Sequence, residues 1–265
     1  MPLDAPSSPS SLCTLGWRDS TFKRLAGAIG AAVPAQCAVC RAWPAQPVCQ
    51  ACIARFAQPK PRCLRCALPV PEAVDLCGRC LHTPPPLDAC HARVSYGFPW
   101  SALIAQFKFQ GQAGWARVFA ALMQQAPGMR HALERADLVL PMPLSPQRLA
   151  ERGFNQAWAL ARALATSRSD GRLLLRVKDT QSQASLDRAE RLRNVKDAFA
   201  LEPLTASRVS GKHVVLVDDV MTSGASLFCA AQVLRAARAA SITALVLART
   251  DEDHHLSSTQ AQHSQ

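Results

Sequence analysis

The 265-residue chain is predicted to fold as an α/β protein: a parallel sheet with helices on both faces, plus a small N-terminal Cys-rich module. Three observations predict this. Apolar, β-branched runs such as Val214-Val-Leu-Val217 alternate with Ala/Leu-rich stretches of helical period, the pattern of strands buried on both sides. Eight of the eleven cysteines fall in four Cys-x-x-Cys pairs between residues 37 and 80, which sets that stretch apart as a module. Hydrophobic residues make up 49% of the chain, enough to bury a core. No apolar run reaches the roughly 18–20 residues that a membrane span needs.

The elements follow in order. Residues 1–36 form a leader, and 1–16 are Pro/Ser-rich without periodicity, a composition that favours disorder. Leu25-Ala-Gly-Ala-Ile-Gly-Ala-Ala-Val33 follows Lys23 and Arg24 and imitates a signal peptide. The run is short, Ala/Gly-rich and starts late, so neither export nor membrane insertion is expected and the chain is placed in the cytoplasm. The cysteine module, read as a double zinc ribbon, spans 37–80. Three consecutive prolines in Leu81-His-Thr-Pro-Pro-Pro-Leu87 make 81–88 a stiff linker. The second domain spans 89–250. In it Ala92–Tyr96 reads as a strand, and Ser101–Phe109 as a helix with Leu103, Ile104 and Phe107 on one face. Asp137–Met142 is a buried strand, Asn155–Thr166 a helix and Leu173–Val177 a short strand. His213–Val217 is a strand stopped by Asp218-Asp219, Ala225–Ala239 a helix and Ile242–Ala248 the last strand. The polar tail 251–265 reads as disordered.

The cysteine pairs are Cys37/Cys40, Cys49/Cys52, Cys63/Cys66 and Cys77/Cys80, with spacers of eight, ten and ten residues. Regular pairs without an export signal point to thiolates on a metal in a reducing compartment, not to disulfides. Each turn offers two thiolates, so four pairs make two tetrahedral four-cysteine sites for about two structural zinc ions. Neighbouring pairs can join as a double ribbon, or first can join third and second fourth in a cross-brace. Iron–sulfur ligation uses the same residues. Arg41, Arg55, Lys60, Arg62, Arg65 and Arg79 decorate the module, and Trp43 and Phe56 suit base stacking. The module therefore reads either as a single-strand binder or as a scaffold packed on the second domain.

The sharpest local signal is Val214-Val-Leu-Val-Asp-Asp-Val-Met-Thr-Ser-Gly-Ala-Ser226, at a strand-to-helix junction. Ligands of open α/β sheets bind at the carboxyl ends of strands. The loop supplies backbone N–H groups, the hydroxyls of Thr222, Ser223 and Ser226, and a glycine that permits close approach. A helix N-terminus completes a phosphate cradle. Adjacent carboxylates do not favour a phosphate. They make sense as acceptors for a ribose diol on the same sugar.

This segment closely resembles the loop of type I phosphoribosyltransferases that binds phosphoribosyl pyrophosphate, with Ser226 where Thr is usual. Pro141-Met-Pro-Leu-Ser-Pro-Gln-Arg-Leu-Ala-Glu-Arg-Gly-Phe-Asn-Gln156 is similar to the ComF family of bacterial proteins. So are Asp179-Thr-Gln-Ser-Gln-Ala-Ser-Leu186, Arg188–Phe199, Phe107-Lys-Phe109 and the cysteine module, over roughly residues 37–250.

The resemblance implies a type I phosphoribosyltransferase-like sheet that takes phosphoribosyl pyrophosphate with magnesium. It implies Asp218 and Asp219 as the catalytic pair, stabilising the sugar and the charge that develops as pyrophosphate departs. Val220, Met221, Thr222, Ser223, Gly224, Ala225 and Ser226 would hold the phosphoribosyl group. Arg148, Arg152 and Gly153, in the loop after Met142, would hold pyrophosphate, since a bidentate Arg suits paired oxygens. The other reading of these arginines is a solvated helix face beside Glu151. Gln183, Arg188, Arg191 and Asn194 fall where related transferases carry a mobile loop, and they suit an interdomain hydrogen-bonded network equally well. No acceptor is named by any segment. The net charge is +11, and residues 145–196 hold eleven Lys/Arg against five Asp/Glu. That excess suits phosphates of a small ligand or of nucleic acid. The alternative function is a non-catalytic protein that binds single-stranded DNA, with DNA-uptake proteins as partners, during uptake of transforming DNA.

Overall fold

The computed structural model describes residues 35–178 and 197–251. The cysteine module carries two short helices, α1 (Gln50–Phe56) and α2 (Gly78–His82). The second domain follows as β1 (Ala89–Ser95), α3 (Trp100–Phe109), α4 (Trp115–Gln124), α5 (Pro127–Arg135), β2 (Leu138–Pro141), α6 (Pro146–Arg152) and α7 (Gln156–Ala165). It continues with β3 (Leu174–Arg176), β4 (Phe199–Leu201), β5 (His213–Met221), α8 (Ala225–Ala236) and β6 (Ser241–Arg249). The main sheet has the order β1-β6-β5-β2 and every pairing in it is parallel.

Alternation along β5 explains the layers. Val214 and Leu216 enter one core, where α8 covers the sheet. Val215 and Val217 enter the other, under α3, α4, α5 and α7. Successive side chains of a strand point to opposite faces, so an unbroken apolar run needs cover on both. Helix α7 starts where the Asn155 side chain accepts from Trp158 N–H at 3.0 Å, and it buries Leu160, Ala161, Leu164 and Ala165. Helix α6 has Ser145 as its cap and Pro146 in its first turn, and it stops at Gly153, whose φ is 74°.

The cysteine module packs on the domain across the edge strand β1. Cys63, Cys66, Cys77 and Cys80 join the core of one face with Leu87 and Cys90. Cys37, Val48 and Cys52 join the core of the other with Val94 and Trp100. Polar contacts fix the seam: Trp100 Nε1 donates to the Phe56 carbonyl at 2.8 Å, and Arg62 donates to Ser95 Oγ at 3.1 Å. The chain at 86–88 is also docked. Leu87 is fully buried, and Asp88 accepts from Ile242 N–H at 2.7 Å and pairs with Arg235.

Three expectations need correction. Strand β5 does not stop at Val217. It runs through both acids to Met221, with Asp218 paired to Val246 and Met221 to Arg249 in register. A charge normally ends a buried strand, but here a lysine neutralises Asp219. The segment at Leu173–Val177 does not join the parallel sheet. Leu174–Arg176 pairs antiparallel with Phe199–Leu201 in a separate two-stranded sheet. Helix α8 ends at Ala236 instead of Ala239. Helices α4 and α5 lie in a stretch for which the sequence reading assigned no element. Among the described residues no helix is long and apolar enough to cross a membrane. The expectations for the leader up to residue 34 and for the tail from 252 lie outside the described residues.

Candidate functional site

The site is built at the carboxyl edge of the sheet. Met142 N–H donates to the Val217 carbonyl at 2.9 Å, which brings the loop after β2 against the acid pair of β5. Asp219 is only 6% exposed, and Lys108 of α3 reaches it with Nζ 2.8 Å from Oδ1. A buried carboxylate without such a partner would be expelled or protonated. Asp218 is half-buried, and its Oδ1 accepts from Asp219 N–H at 2.8 Å. Burial, and then the charge of Asp219, push the Asp218 carboxyl up to about 7, while Lys108, that N–H bond and Arg152 pull the other way.

The pyrophosphate candidates lie on the opposite wall. Arg152 donates to Gln156 Oε1 at 3.0 Å, and its guanidinium lies 5.5 Å from the Phe109 ring centre. Asn155 Nδ2 donates to the Met142 carbonyl at 3.1 Å, which ties the start of α7 to the end of β2. Gly153 is exposed and Arg148 half-buried on α6. Gln156 is 1% exposed, and its Nε2 has no hydrogen-bond partner among the described residues. Buried polar atoms are nearly always paired, so this amide is a candidate donor of the site. Gln183, Arg188, Arg191 and Asn194 lie outside the described residues.

The loop after β5 has the geometry of an anion cradle. Thr222 is exposed, Ser223 and Ser226 are half-buried, and Ala225 N–H donates to Ser223 Oγ at 3.4 Å. Gly224 has φ 82°, and a Cβ there would lie 2.5 Å from Met221 Cε and 2.7 Å from the Phe228 ring. Only glycine fits, for backbone and for packing. Beyond it α8 opens, and a helix N-terminus turns its positive end toward the loop. Val220 is half-buried, and Met221 and Ala225 are buried beneath the turn.

The cysteines form two groups of four, Cys37/Cys40/Cys49/Cys52 and Cys63/Cys66/Cys77/Cys80, with the sulfurs of each group all within 4.8 Å. Neighbouring pairs have therefore come together, and the cross-brace is not formed. Sulfur separations are 3.9 Å for Cys37–Cys52, 3.7 Å for Cys40–Cys49 and 3.6 Å for Cys66–Cys77. A tetrahedral ion with metal–sulfur bonds of about 2.3 Å has edges of about 3.8 Å, so both groups could hold a metal.

Residues 150–262 match the family model of the phosphoribosyl transferase domain. The DNA utilization protein YhgH of Salmonella typhimurium is 34% identical over 227 residues, which cover 82% of this chain and 98% of that protein. The chain belongs to the ComF family. Competence protein F of Haemophilus influenzae is 33% identical over 181 residues, 66% of this ComF chain and 79% of that protein. Competence protein ComFC of Bacillus subtilis is 30% identical over 148 residues, 56% of this chain and 58% of that protein. The domain match takes in Arg152, Gly153, Gln156 and the whole Asp218–Ser226 loop.

Sequence reasoning missed two residues of this candidate site. Lys108 sat in the Phe107-Lys-Phe109 segment, and a lysine between two aromatics on a buried helix was the available signal. Gln156 stood at the first position of α7, where a buried amide is out of place.

The raised Asp218 carboxyl gives a pH prediction. Its folded pKa of about 7 lies above the ordinary carboxylate value of 3.8. This group's contribution to stability is therefore present below about pH 4 and lost as pH rises through about 7. Asp218→Asn should flatten that part of the profile. Urea denaturation at pH 5 and pH 8 checks this, and an identical decline in variant and parent would reject the assignment.

Proposed function

We propose that this chain binds phosphoribosyl pyrophosphate, or a related ribose 5-phosphate group, at the Asp218–Ser226 loop, and transfers phosphoribosyl to an acceptor. One observation carries the reading. A buried acid and a half-buried acid stand directly before a glycine turn that opens a 12-residue helix, at the carboxyl edge of a parallel sheet. The phosphate suits the N–H groups of the turn and the hydroxyls of Thr222, Ser223 and Ser226. The ribose diol suits Asp218 and Asp219. Pyrophosphate suits Arg148 and Arg152, beside the left-handed turn at Gly153, with Gln183, Arg188, Arg191 and Asn194 as its cover. Lys108 pairs with Asp219 at 2.8 Å and offsets the charge of the acid pair. Magnesium, when bound, would bridge pyrophosphate and ribose hydroxyls and offset their charge. Zinc suits the two four-cysteine groups and has a structural part only, because four thiolates leave no open position. Free thiols among the described residues suit the cytoplasm.

Calorimetry with phosphoribosyl pyrophosphate and magnesium tests the reading. Asp219→Asn keeps the shape and removes the charge. It should weaken binding on the order of 100-fold, the scale of hydrogen bonds to a charged group. Unchanged affinity in a variant that melts like the parent would sink it.

A second reading rests on relatives named for DNA utilization and for competence. In it the domain is a non-catalytic binder of single-stranded DNA, working with DNA-uptake proteins.

A further inference from the structure

A cavity of about 320 Å³ lies at the seam between the cysteine module and the domain, lined by Arg55, Phe56, Lys60, Arg62, Phe98 and Trp100 among others. A second, of about 280 Å³, opens beside the same Lys60–Arg62 stretch and adds Arg93. No carboxylate lines either cavity among the described residues. The first opens at the carboxyl end of β1, next to Ser95 and Gly97, on the same sheet edge as the Asp218–Ser226 loop. With β6 between them, β1 and β5 stand about 10 Å apart, two strand spacings.

The floor of this cavity is rigid. Trp100 is buried, and its indole N–H is tied to the Phe56 carbonyl at 2.8 Å. Arg62 is fixed by the Ala67 carbonyl at 3.0 Å and by Ser95 Oγ at 3.1 Å, and Asp251 faces it from beyond β6. On that floor stands a ring with no structural reason to be outside. Phe98 is 74% exposed and meets the Phe56 edge at 5.5 Å and 87°. Arg55 lies over the Phe56 ring at 5.2 Å, and Arg55 and Lys60 are both exposed. An exposed ring beside cations, in a cleft that no carboxylate lines among the described residues, suits a flat base on the ring with its phosphate on the cations.

We infer that the seam is a binding track for single-stranded nucleic acid, with a base stacked on Phe98 and the flanking phosphates on Arg55, Lys60 and Arg62. Two cavities along one cationic stretch fit successive nucleotides better than one free nucleotide. The inference deepens the second reading above and places the strand away from the acid pair, so the ribose-phosphate site does not depend on it.

The test is fluorescence anisotropy of a labelled oligo-dT 12-mer at low salt, with thymidine monophosphate as competitor. Phe98→Ala should weaken oligonucleotide binding about tenfold or more, within the range of one base–aromatic stack. Phe98→Tyr should restore it. Arg55→Glu with Lys60→Glu should weaken binding further, and should lower the slope of log affinity against log salt by about 0.7 per lost phosphate contact. Phosphoribosyl pyrophosphate affinity, measured on the same preparations, should stay unchanged. That arm separates a failure of the seam from a failure of the ribose-phosphate reading. Equal oligonucleotide affinity in all variants would overturn the proposal. So would thymidine monophosphate competing as well as the 12-mer, which would make the seam a mononucleotide site.

Discussion

Removing metal from this protein is expected to release about two zinc ions per chain and to unfold the cysteine module. The eight thiols lie in two groups with sulfur spacings of 3.6 to 3.9 Å where measured, too far for disulfides and right for a shared ion. The module has little regular structure of its own, since α1 and α2 have 7 and 5 residues. Helices that short are not stable alone. Structural zinc in comparable small modules contributes about 10–16 kcal/mol, on the scale of a typical domain's whole stability. The loss should spread, because Cys63 and Cys37 belong to the cores on opposite faces of the sheet. Metal analysis, with near-ultraviolet dichroism of Trp43 and Trp100 during chelation, measures both effects. Protein purified anaerobically without chelator and found free of metal would defeat the assignment.

Local chemistry was legible in the sequence and long-range pairing was not. Cys-x-x-Cys spacing announced two four-sulfur groups, but the choice between neighbours and a cross-brace needed the fold. The glycine turn at Gly224 was legible because a single residue type can hold φ 82° against Met221 and Phe228. The course of β5 through Asp218 and Asp219 was not legible. The charge that permits it belongs to Lys108, in a helix on a distant part of the chain. Helix α5 left a trace in Pro127, in its first turn, and in the buried Met129 and Leu133. Helix α4 left one in Trp115, Phe119 and Met123 at helical spacing. Leu174–Arg176 looked like any buried strand, and only the later Phe199–Leu201 makes it half of a separate pair. Three prolines in the linker suggested a spacer, whereas the burial of Leu87 depends on a surface formed by elements far downstream.

Arg249→Met is expected to destabilise the protein by about 3–5 kcal/mol, the cost of leaving buried carbonyls without their charged donor, and to loosen metal at the second four-cysteine group. Arg249 is 1% exposed at the end of β6. Its Nε donates to the Cys66 carbonyl at 3.0 Å, and its Nη1 to the Met221 carbonyl at 3.3 Å and the Thr250 carbonyl at 2.6 Å. Burial holds this guanidinium below its usual pKa, and among the described residues it has no carboxylate in an ion pair. Four thiolates around a divalent ion carry a net charge of about −2, which offsets a buried arginine nearby. The same side chain grips Met221, whose Cε packs under Gly224. One residue thus spans the second cysteine group and the turn at Gly224. Lysine cannot replace it, because three donors on a point charge do not reproduce the fork. Thermal melting, zinc release to a chromogenic chelator and phosphoribosyl pyrophosphate affinity read the three consequences separately. The expected order is a lower melting temperature, faster release of one zinc of the two, and weaker ligand binding. A variant that melts like the parent and releases both ions at the parental rate would show that Arg249 spans the two sites without coupling them.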